Sequence, residues 1–407
     1  MQCAILIGGL GTRLGALVSD CPKPMLPVAG APFLEHLVRD LARYGFDDVL
    51  LLAGYRSEVV ERFVAETDLV RRDGLKIRVV VEPEPLGTAG ALRYAHADLA
   101  PEFLMLNGDS YFDFNVLDLA TFTTGEPWLA RMALRQVEDA SRFGIVELAD
   151  DGIVTAMRER PDGPGPGLIN GGVYWLQRDI VGVIGAGQVS LERTVFPALA
   201  SDGLLRGRTY DGFFLDIGVP DAYAAAGAAM AAALRRPAVF FDRDGVLNHD
   251  DGYTHDPHGF RWIDGAREAI RRVNDAGWFA FVVTNQAGVA RGYYDEAAVE
   301  ALHRWMNADL RTIGAHIDAF RYCPHHPDGT VAGYAKACDW RKPGPGMLTD
   351  LLGKWPVDAR RSFLIGDKAS DLEAARRAGI HGCLYTGGDL AETVGGEIAA
   401  RGSSRGA

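Results

Sequence analysis

Ala238-Val239-Phe240-Phe241-Asp242-Arg243-Asp244-Gly245-Val246-Leu247-Asn248 is the stretch that decides how the chain is read. Its opening apolar residues, rich in aromatic and β-branched side chains, read as a buried strand that carries Asp242 to its carboxyl end. Residues two apart in extended backbone project to the same side, so Asp242 and Asp244 are expected to face one pocket. A phosphatase with a carboxylate nucleophile has this layout. One aspartate attacks phosphorus; its neighbour protonates the leaving oxygen and later activates water. A strand followed by an acidic turn would show the same letters, so the strand ends further along the chain must decide between the two.

With 407 residues the chain exceeds one ordinary core, and two domains are expected. Its 48% hydrophobic and 24% charged residues are those of a globular protein. The net charge of -12 argues against a broad nucleic-acid surface. Phosphorylated small molecules remain as ligands where Lys, Arg, metal ions and helix N-termini are placed locally. Five cysteines without a framework fit a reducing cytosol. The opening Met1-Gln2-Cys3-Ala4-Ile5 lacks the basic n-region of a signal peptide, and no apolar run reaches the length of a membrane span. A cytoplasmic enzyme with no membrane partner is expected. The alanine-rich Ala222 to Leu234, closed by Arg235-Arg236-Pro237, reads as a helix ending against proline and marks the seam. The expected division is a first domain over 1–234, a second over 235–390 and a C-terminal tail over 391–407.

In the first part a short strand, Cys3 to Ile7, runs into Gly8-Gly9-Leu10-Gly11-Thr12-Arg13-Leu14-Gly15. Glycines let backbone amides approach an anion, and Thr12 and Arg13 add side-chain donors. The spacing is neither that of a P-loop nor that of a dinucleotide fingerprint. Lys23, between Pro22 and Pro24, is a cation on a stiffened loop. Together these pieces resemble the signature of the sugar-1-phosphate nucleotidyltransferases, a family with a doubly wound fold. Glu82-Pro83-Glu84-Pro85-Leu86-Gly87-Thr88-Ala89-Gly90 looks like that family's base-contacting loop, which implies nucleotide contacts for Gly8, Gly9, Gly11, Thr12, Arg13, Lys23, Gly87 and Thr88. Asn107-Gly108-Asp109 and Phe214-Leu215-Asp216 look like its metal-binding strand ends. Ile169-Asn170-Gly171-Gly172 resembles its sugar-contacting strand, with Asn170 and Gly171 in that role. The resemblance implies a sugar 1-phosphate oxygen displacing pyrophosphate from a nucleoside triphosphate. Magnesium would be held by Asp109 and Asp216, and Arg13 and Lys23 would neutralise the phosphates. The family's glutamate-lysine pair is here Glu159-Arg160, which makes Arg160 the candidate grip on the sugar phosphate.

In the second part three further strand ends follow Asp242 and Asp244. Phe281-Val282-Val283-Thr284-Asn285-Gln286 ends in a hydroxyl and two amides able to donate to a phosphoryl group. Arg341-Lys342-Pro343 supplies cations, and Phe363-Leu364-Ile365-Gly366 leads to Asp367-Lys368 with Asp371 behind. This succession resembles the haloacid dehalogenase superfamily, an α/β fold. The resemblance implies Asp242 as nucleophile, Asp244 as acid and base, and Thr284 and Lys342 steadying the transferred group. Magnesium would lie at Asp242, Asp244 and Asp367, with Asn285, Gln286, Arg341 and Lys368 along the substrate phosphates. Asp242 to Asn248 with Gly252-Tyr253, and Thr284 to Gly292, look most like the heptose bisphosphate and histidinol phosphatases. These carry a zinc loop with a last cysteine where this chain has Trp340. Cys323, His325 and Cys338 supply three zinc ligands; a fourth would have to come from His326 or water, and a metal-free loop packed by Trp340 is expected.

Both halves together imply a two-headed enzyme acting on nucleoside triphosphates and sugar phosphates. The front half looks most like the heptose 1-phosphate guanylyltransferases, so the phosphatase product would feed the transferase. Two alternatives keep the architecture: hexose 1-phosphate and histidinol phosphate as substrates, or one half as a binding module without turnover.

Overall fold

The computed structural model describes residues 1–9, 11–70, 74–122 and 127–402, except the side chain of Thr12. The chain separates into two compact α/β units. One comprises Met1–Phe114 and Phe122–Ala232; the other runs from Ala233 onward and includes Asn115–Thr121.

The first unit is built on a sheet of nine strands among the described residues. Gln2–Leu6 lies at its centre, parallel to Asp48–Ala53 on one side and Glu102–Asn107 on the other. These are near-continuous apolar runs, and Val49, Leu50, Leu51, Phe103, Leu104 and Met105 have no exposed surface, as expected of parallel strands covered on both faces. Beyond Glu102–Asn107 the direction reverses, because Gly167–Gln177 pairs antiparallel with it and then with Ala130–Val137. The parallel strands therefore bring their carboxyl ends to one edge, where open α/β sheets bind ligands. A ribbon of Ser110–Phe112 and Phe214–Asp216 sets Asp216 opposite Ser110.

Among the described residues the second unit holds five parallel strands in the order Ala319–Cys323, Phe279–Asn285, Ala238–Phe241, Phe363–Gly366, His381–Leu384. Ala238–Phe241 is central and fully buried, as its composition requires. Val239 and Phe241 pack with the helices Ala266–Asp275 and Glu296–Arg311, while Ala238 and Phe240 face Gly346–Lys354 and Ala369–Ala378. The strand stops at Phe241, so Asp244 does not alternate with Asp242 along a strand. Instead Leu247 N–H and Asn248 N–H return to the Arg243 carbonyl and close a turn that holds both acids.

Two segments differ from the sequence expectation. A tail from 391 is replaced by the helix Leu390–Arg401, with Asp389 as its cap and Leu390, Ala391 and Val394 in the core; 403–407 lie outside the described residues. The stretch Asn115–Thr121 groups with the second unit, where Asn115 Nδ2 donates to Asp275 Oδ1 and to the Gly314 carbonyl, both at 2.8 Å, and Arg271 pairs with Asp118. Among the described residues no helix is long and apolar enough to cross a membrane.

Candidate active sites

At the carboxyl edge of the first sheet lies a cavity of about 540 Å³ whose lining includes Gly8, Gly9, Gly11, Lys23, Gly87, Thr88 and Asp109. Gly108 sets Asp109 in place: a Cβ there would stand 2.5 Å from the Leu6 carbonyl oxygen, so only glycine permits the turn. Lys23 Nζ meets Asp109 Oδ2 at 2.5 Å. Asp216 is beside them, since Ile217 N–H donates to the Asp109 carbonyl at 3.1 Å. Burial raises the Asp216 pKa, and the charge of Asp109 raises it further. Two neighbouring carboxylates, Asp109 and Asp216, form a donor set suited to a hard divalent cation.

Other first-unit candidates have local partners. Thr88 Oγ1 donates to Glu192 Oε2 at 2.9 Å and accepts from Leu191 N–H at 2.8 Å, so its hydroxyl anchors the turn that presents Glu192. Asn170 Nδ2 donates to the Tyr174 hydroxyl at 2.7 Å, and its Oδ1 accepts from Gly172 N–H. A Cβ on Gly171 would strike Phe112 at 2.5 Å, a packing reason for glycine there. Arg13 is exposed outside the cavity lining, and Arg160 is exposed past the end of the strand Val154–Arg158 rather than on it. The Thr12 side chain lies outside the described residues.

The second cavity, about 280 Å³, collects Asp242, Asp244, Thr284, Lys342, Lys368 and Asp371. Lys342, 4% exposed, reaches Asp242 Oδ1 at 2.7 Å and Asp371 Oδ1 at 2.8 Å and donates to the Val283 carbonyl. Burial alone would lower its pKa; the two carboxylates outweigh burial and raise it. Burial likewise pushes Asp242 up to about 6 despite Lys342. Carboxylate oxygens of Asp242, Asp367 and Asp371 lie within 4.8 Å of one another. Asp367 Oδ1 is buried with no hydrogen-bond partner among the described residues, and a Cβ on Gly245 would stand 2.5 Å from Asp367 Oδ2. An orphaned carboxylate oxygen beside two further acids fits a bound magnesium ion. Asp244 is held apart from this group, accepting from Arg243, from Asn248 Nδ2 at 3.1 Å and from Gln286 Nε2 at 2.9 Å.

Three expected phosphate donors have other work. Asn285 Oδ1 accepts from Lys342 N–H at 3.0 Å and its Nδ2 donates to the Lys342 carbonyl at 3.1 Å, so this amide fixes the lysine's backbone. Gln286 bridges Asp244 and Thr284 and accepts from the Tyr294 hydroxyl. Arg341 turns to the cysteine loop, its guanidinium 3.4 Å from the His325 carbonyl. Lys368 Nζ does stay at the mouth, 3.5 Å from both Asp250 and Asp367. Asp371 escaped assignment from sequence, although its spacing behind Asp367 was an available signal.

Donor atoms of Cys323, His325 and Cys338 converge within 4.8 Å of one another, and burial pushes the Cys323 thiol up to about 12. His326 stands outside this group, its Nδ1 accepting from Asp328 N–H, and Trp340 packs against the core. Three donors fit zinc only with a fourth ligand from outside the set.

A family model described as nucleotidyl transferase matches residues 3–233, and one described as HAD-hydrolase-like matches residues 339–402. The HAD-like half is similar to the D-glycero-beta-D-manno-heptose-1,7-bisphosphate 7-phosphatase of Rhodopseudomonas palustris, 55% identical over 160 residues, 39% of this chain and 89% of that protein. The protein of that name from Escherichia coli is 43% identical over 144 residues, 35% of this chain and 75% of its own length. Among solved structures, HddC from Yersinia pseudotuberculosis matches with a TM-score of 0.50 and 28% identity, covering 56% of this chain and 99% of that one. It is also known complexed with GMP-PN.

Proposed function

The chain belongs to the nucleotidyl transferase family through its first half and to the HAD-like hydrolases, beside the heptose bisphosphate phosphatases, through its second. On that premise we propose that it removes the 7-phosphate of D-glycero-D-manno-heptose 1,7-bisphosphate and then transfers GMP from GTP to the resulting heptose 1-phosphate. The observation that carries this reading is that each unit gathers acids beside a lysine, Asp109 and Asp216 with Lys23 in one and Asp242, Asp367 and Asp371 with Lys342 in the other.

In the second unit Lys342 and the Arg243 N–H fix Asp242 Oδ1, so the carboxylate is oriented before substrate arrives. Asp242 attacks phosphorus, the bond from phosphorus to the heptose oxygen breaks, and Asp244 protonates that oxygen. Asp244 then takes a proton from water, which cleaves the aspartyl-phosphate and releases phosphate with Asp242 restored. Lys342 offsets the charge of the transferred group, and Asn285 acts through Lys342. Magnesium, held when bound by Asp242, the Asp244 carbonyl and Asp367 in this unit and by Asp109 and Asp216 in the other, supplies charge stabilisation at phosphorus.

In the first unit no protein nucleophile is required. Lys23 and the main-chain amides of Gly8, Gly9 and Gly11 bind the phosphates and align the heptose 1-phosphate oxygen with the α-phosphorus, and pyrophosphate leaves. Guanine is favoured by the loop Gly87-Thr88-Ala89-Gly90 and by the GMP-PN complex of HddC. The cysteine loop is read as metal-free and packed by Trp340, and one tightly bound zinc per chain in metal analysis of the purified protein would overturn that.

Full-length protein supplied with heptose 1,7-bisphosphate and, in turn, each of the four nucleoside triphosphates tests the proposal. Phosphate release without nucleotide, followed by GDP-heptose and pyrophosphate with GTP, is expected. Transfer confined to hexose 1-phosphates, or no phosphate from the bisphosphate, would overturn it.

A further inference from the structure

We propose that a third cavity, in the second unit, binds a small organic ammonium ion between aromatic rings and the Glu296 carboxylate. The site stands apart from the two reactions, since none of its lining residues belongs to either acid cluster or lines the cavities that hold them.

The cavity measures about 440 Å³, within the roughly 300–1,000 Å³ of small-molecule sites. Its walls come from three places. Phe320 and Tyr322, two apart and so on one side of the edge strand Ala319–Cys323, form the first; Tyr334 and Trp340 come from the loop that follows. Glu296 comes from the first turn of the helix Glu296–Arg311. Trp340 stands where the resembled zinc loop carries its last cysteine, so a ring replaces a thiolate at this wall. Trp340 also packs against the core, and His303 stacks on Phe320 at 4.3 Å, so both rings are backed from behind.

The two phenols are anchored on the one acid. The Tyr334 hydroxyl donates to Glu296 Oε1 at 2.6 Å and the Tyr322 hydroxyl to Oε2 at 2.8 Å, one phenol for each oxygen. Both donors are neutral, so they fix the carboxylate without cancelling its charge. Among the described residues no lysine or arginine pairs with Glu296, and Glu300 Oε1, 3.4 Å from the Tyr322 hydroxyl, adds a second negative charge nearby. Arg321 also borders the cavity, but its Nε donates to Asp350 at 2.7 Å and its Nη1 to the Phe320 carbonyl at 2.8 Å, so Asp350 offsets its charge.

An anionic ligand would meet Glu296 and Glu300 in repulsion, and a neutral apolar one would leave the Glu296 charge unanswered. A cation with an organic surface answers both features. Ring faces attract it through their quadrupoles, and the carboxylate attracts it by charge.

The test is calorimetric binding of choline to the full chain, with the alcohol in which carbon replaces the choline nitrogen as an uncharged control of the same shape. One choline per chain should bind saturably below about 10 mM, and the alcohol at least about tenfold more weakly. This comparison is made on wild type and needs no variant to fold. Glu296→Gln keeps the size of the side chain and removes its charge, and Tyr334→Leu removes one ring; each should weaken choline binding about tenfold. Phosphate release from the bisphosphate, which uses neither residue, reports that the variants are folded. Absence of saturable choline binding, equal affinity for the alcohol, or unchanged affinity in either variant would overturn the proposal. Guanosine saturating the cavity in place of choline would make the rings a stacking platform for a base, and would overturn it as well.

Discussion

Lys342 is the residue on which the second site turns, because it is buried between Asp242 and Asp371 with its main chain clamped by Asn285. Removing one partner of a buried ion pair costs about 3–5 kcal/mol. Asp371→Ala should therefore lower the unfolding free energy of the second unit by that amount and depress phosphate release, while transfer from supplied heptose 1-phosphate persists. Chemical denaturation with a phosphate assay checks both, and an unshifted midpoint would contradict the pairing. Gly245 carries a second constraint, since its φ of +92° and the closeness of Asp367 both exclude a side chain. Gly245→Ala forces at least about 1–3 kcal/mol of backbone strain into the site, and phosphatase kcat should fall by about tenfold or more. Asp242 and Asp367 could be found from letters because each ends an apolar run. The side-chain directions of Asn285 and Arg341 could not, since they depend on how the strand end Phe279–Asn285 meets the loop carrying Lys342.

At the scale of elements, the strands were the most readable parts. Ala238–Phe241 and Phe363–Gly366 appear with the bounds that their apolar runs suggest, because strands buried on both faces have no polar positions to blur them. The helix Leu390–Arg401 was hidden by composition. Gly395 and Gly396 lower its intrinsic preference, and only Asp389 signalled its start. It is nevertheless part of the core, with Leu390 fully buried. Leu390→Ala should destabilise the second unit by about 2–5 kcal/mol, read as a lower denaturation midpoint, with nucleotidyl transfer unaffected. A loss below about 0.5 kcal/mol would show that the helix is dispensable.

For the whole molecule, the question is whether the two activities need one polypeptide. Each unit holds its own cluster of acids and its own lysine, so Asp242→Asn should lose phosphate release by at least about 10³-fold and keep transfer, and Asp109→Ala should show the reverse. An equimolar mixture of the two variants should then convert heptose 1,7-bisphosphate and GTP to GDP-heptose after a lag, as free heptose 1-phosphate accumulates. A mixture that makes none would mean that the intermediate cannot travel through solvent. The helix Leu390–Arg401 also has a bearing on how the protein is made. Because Leu390, Ala391 and Val394 complete the second core, that half cannot close until the helix Leu390–Arg401 has been translated and has cleared the ribosome. The sheet of the first half is finished long before. A chain interrupted before Leu390 would thus yield a finished front half tethered to an unfinished, protease-sensitive remainder.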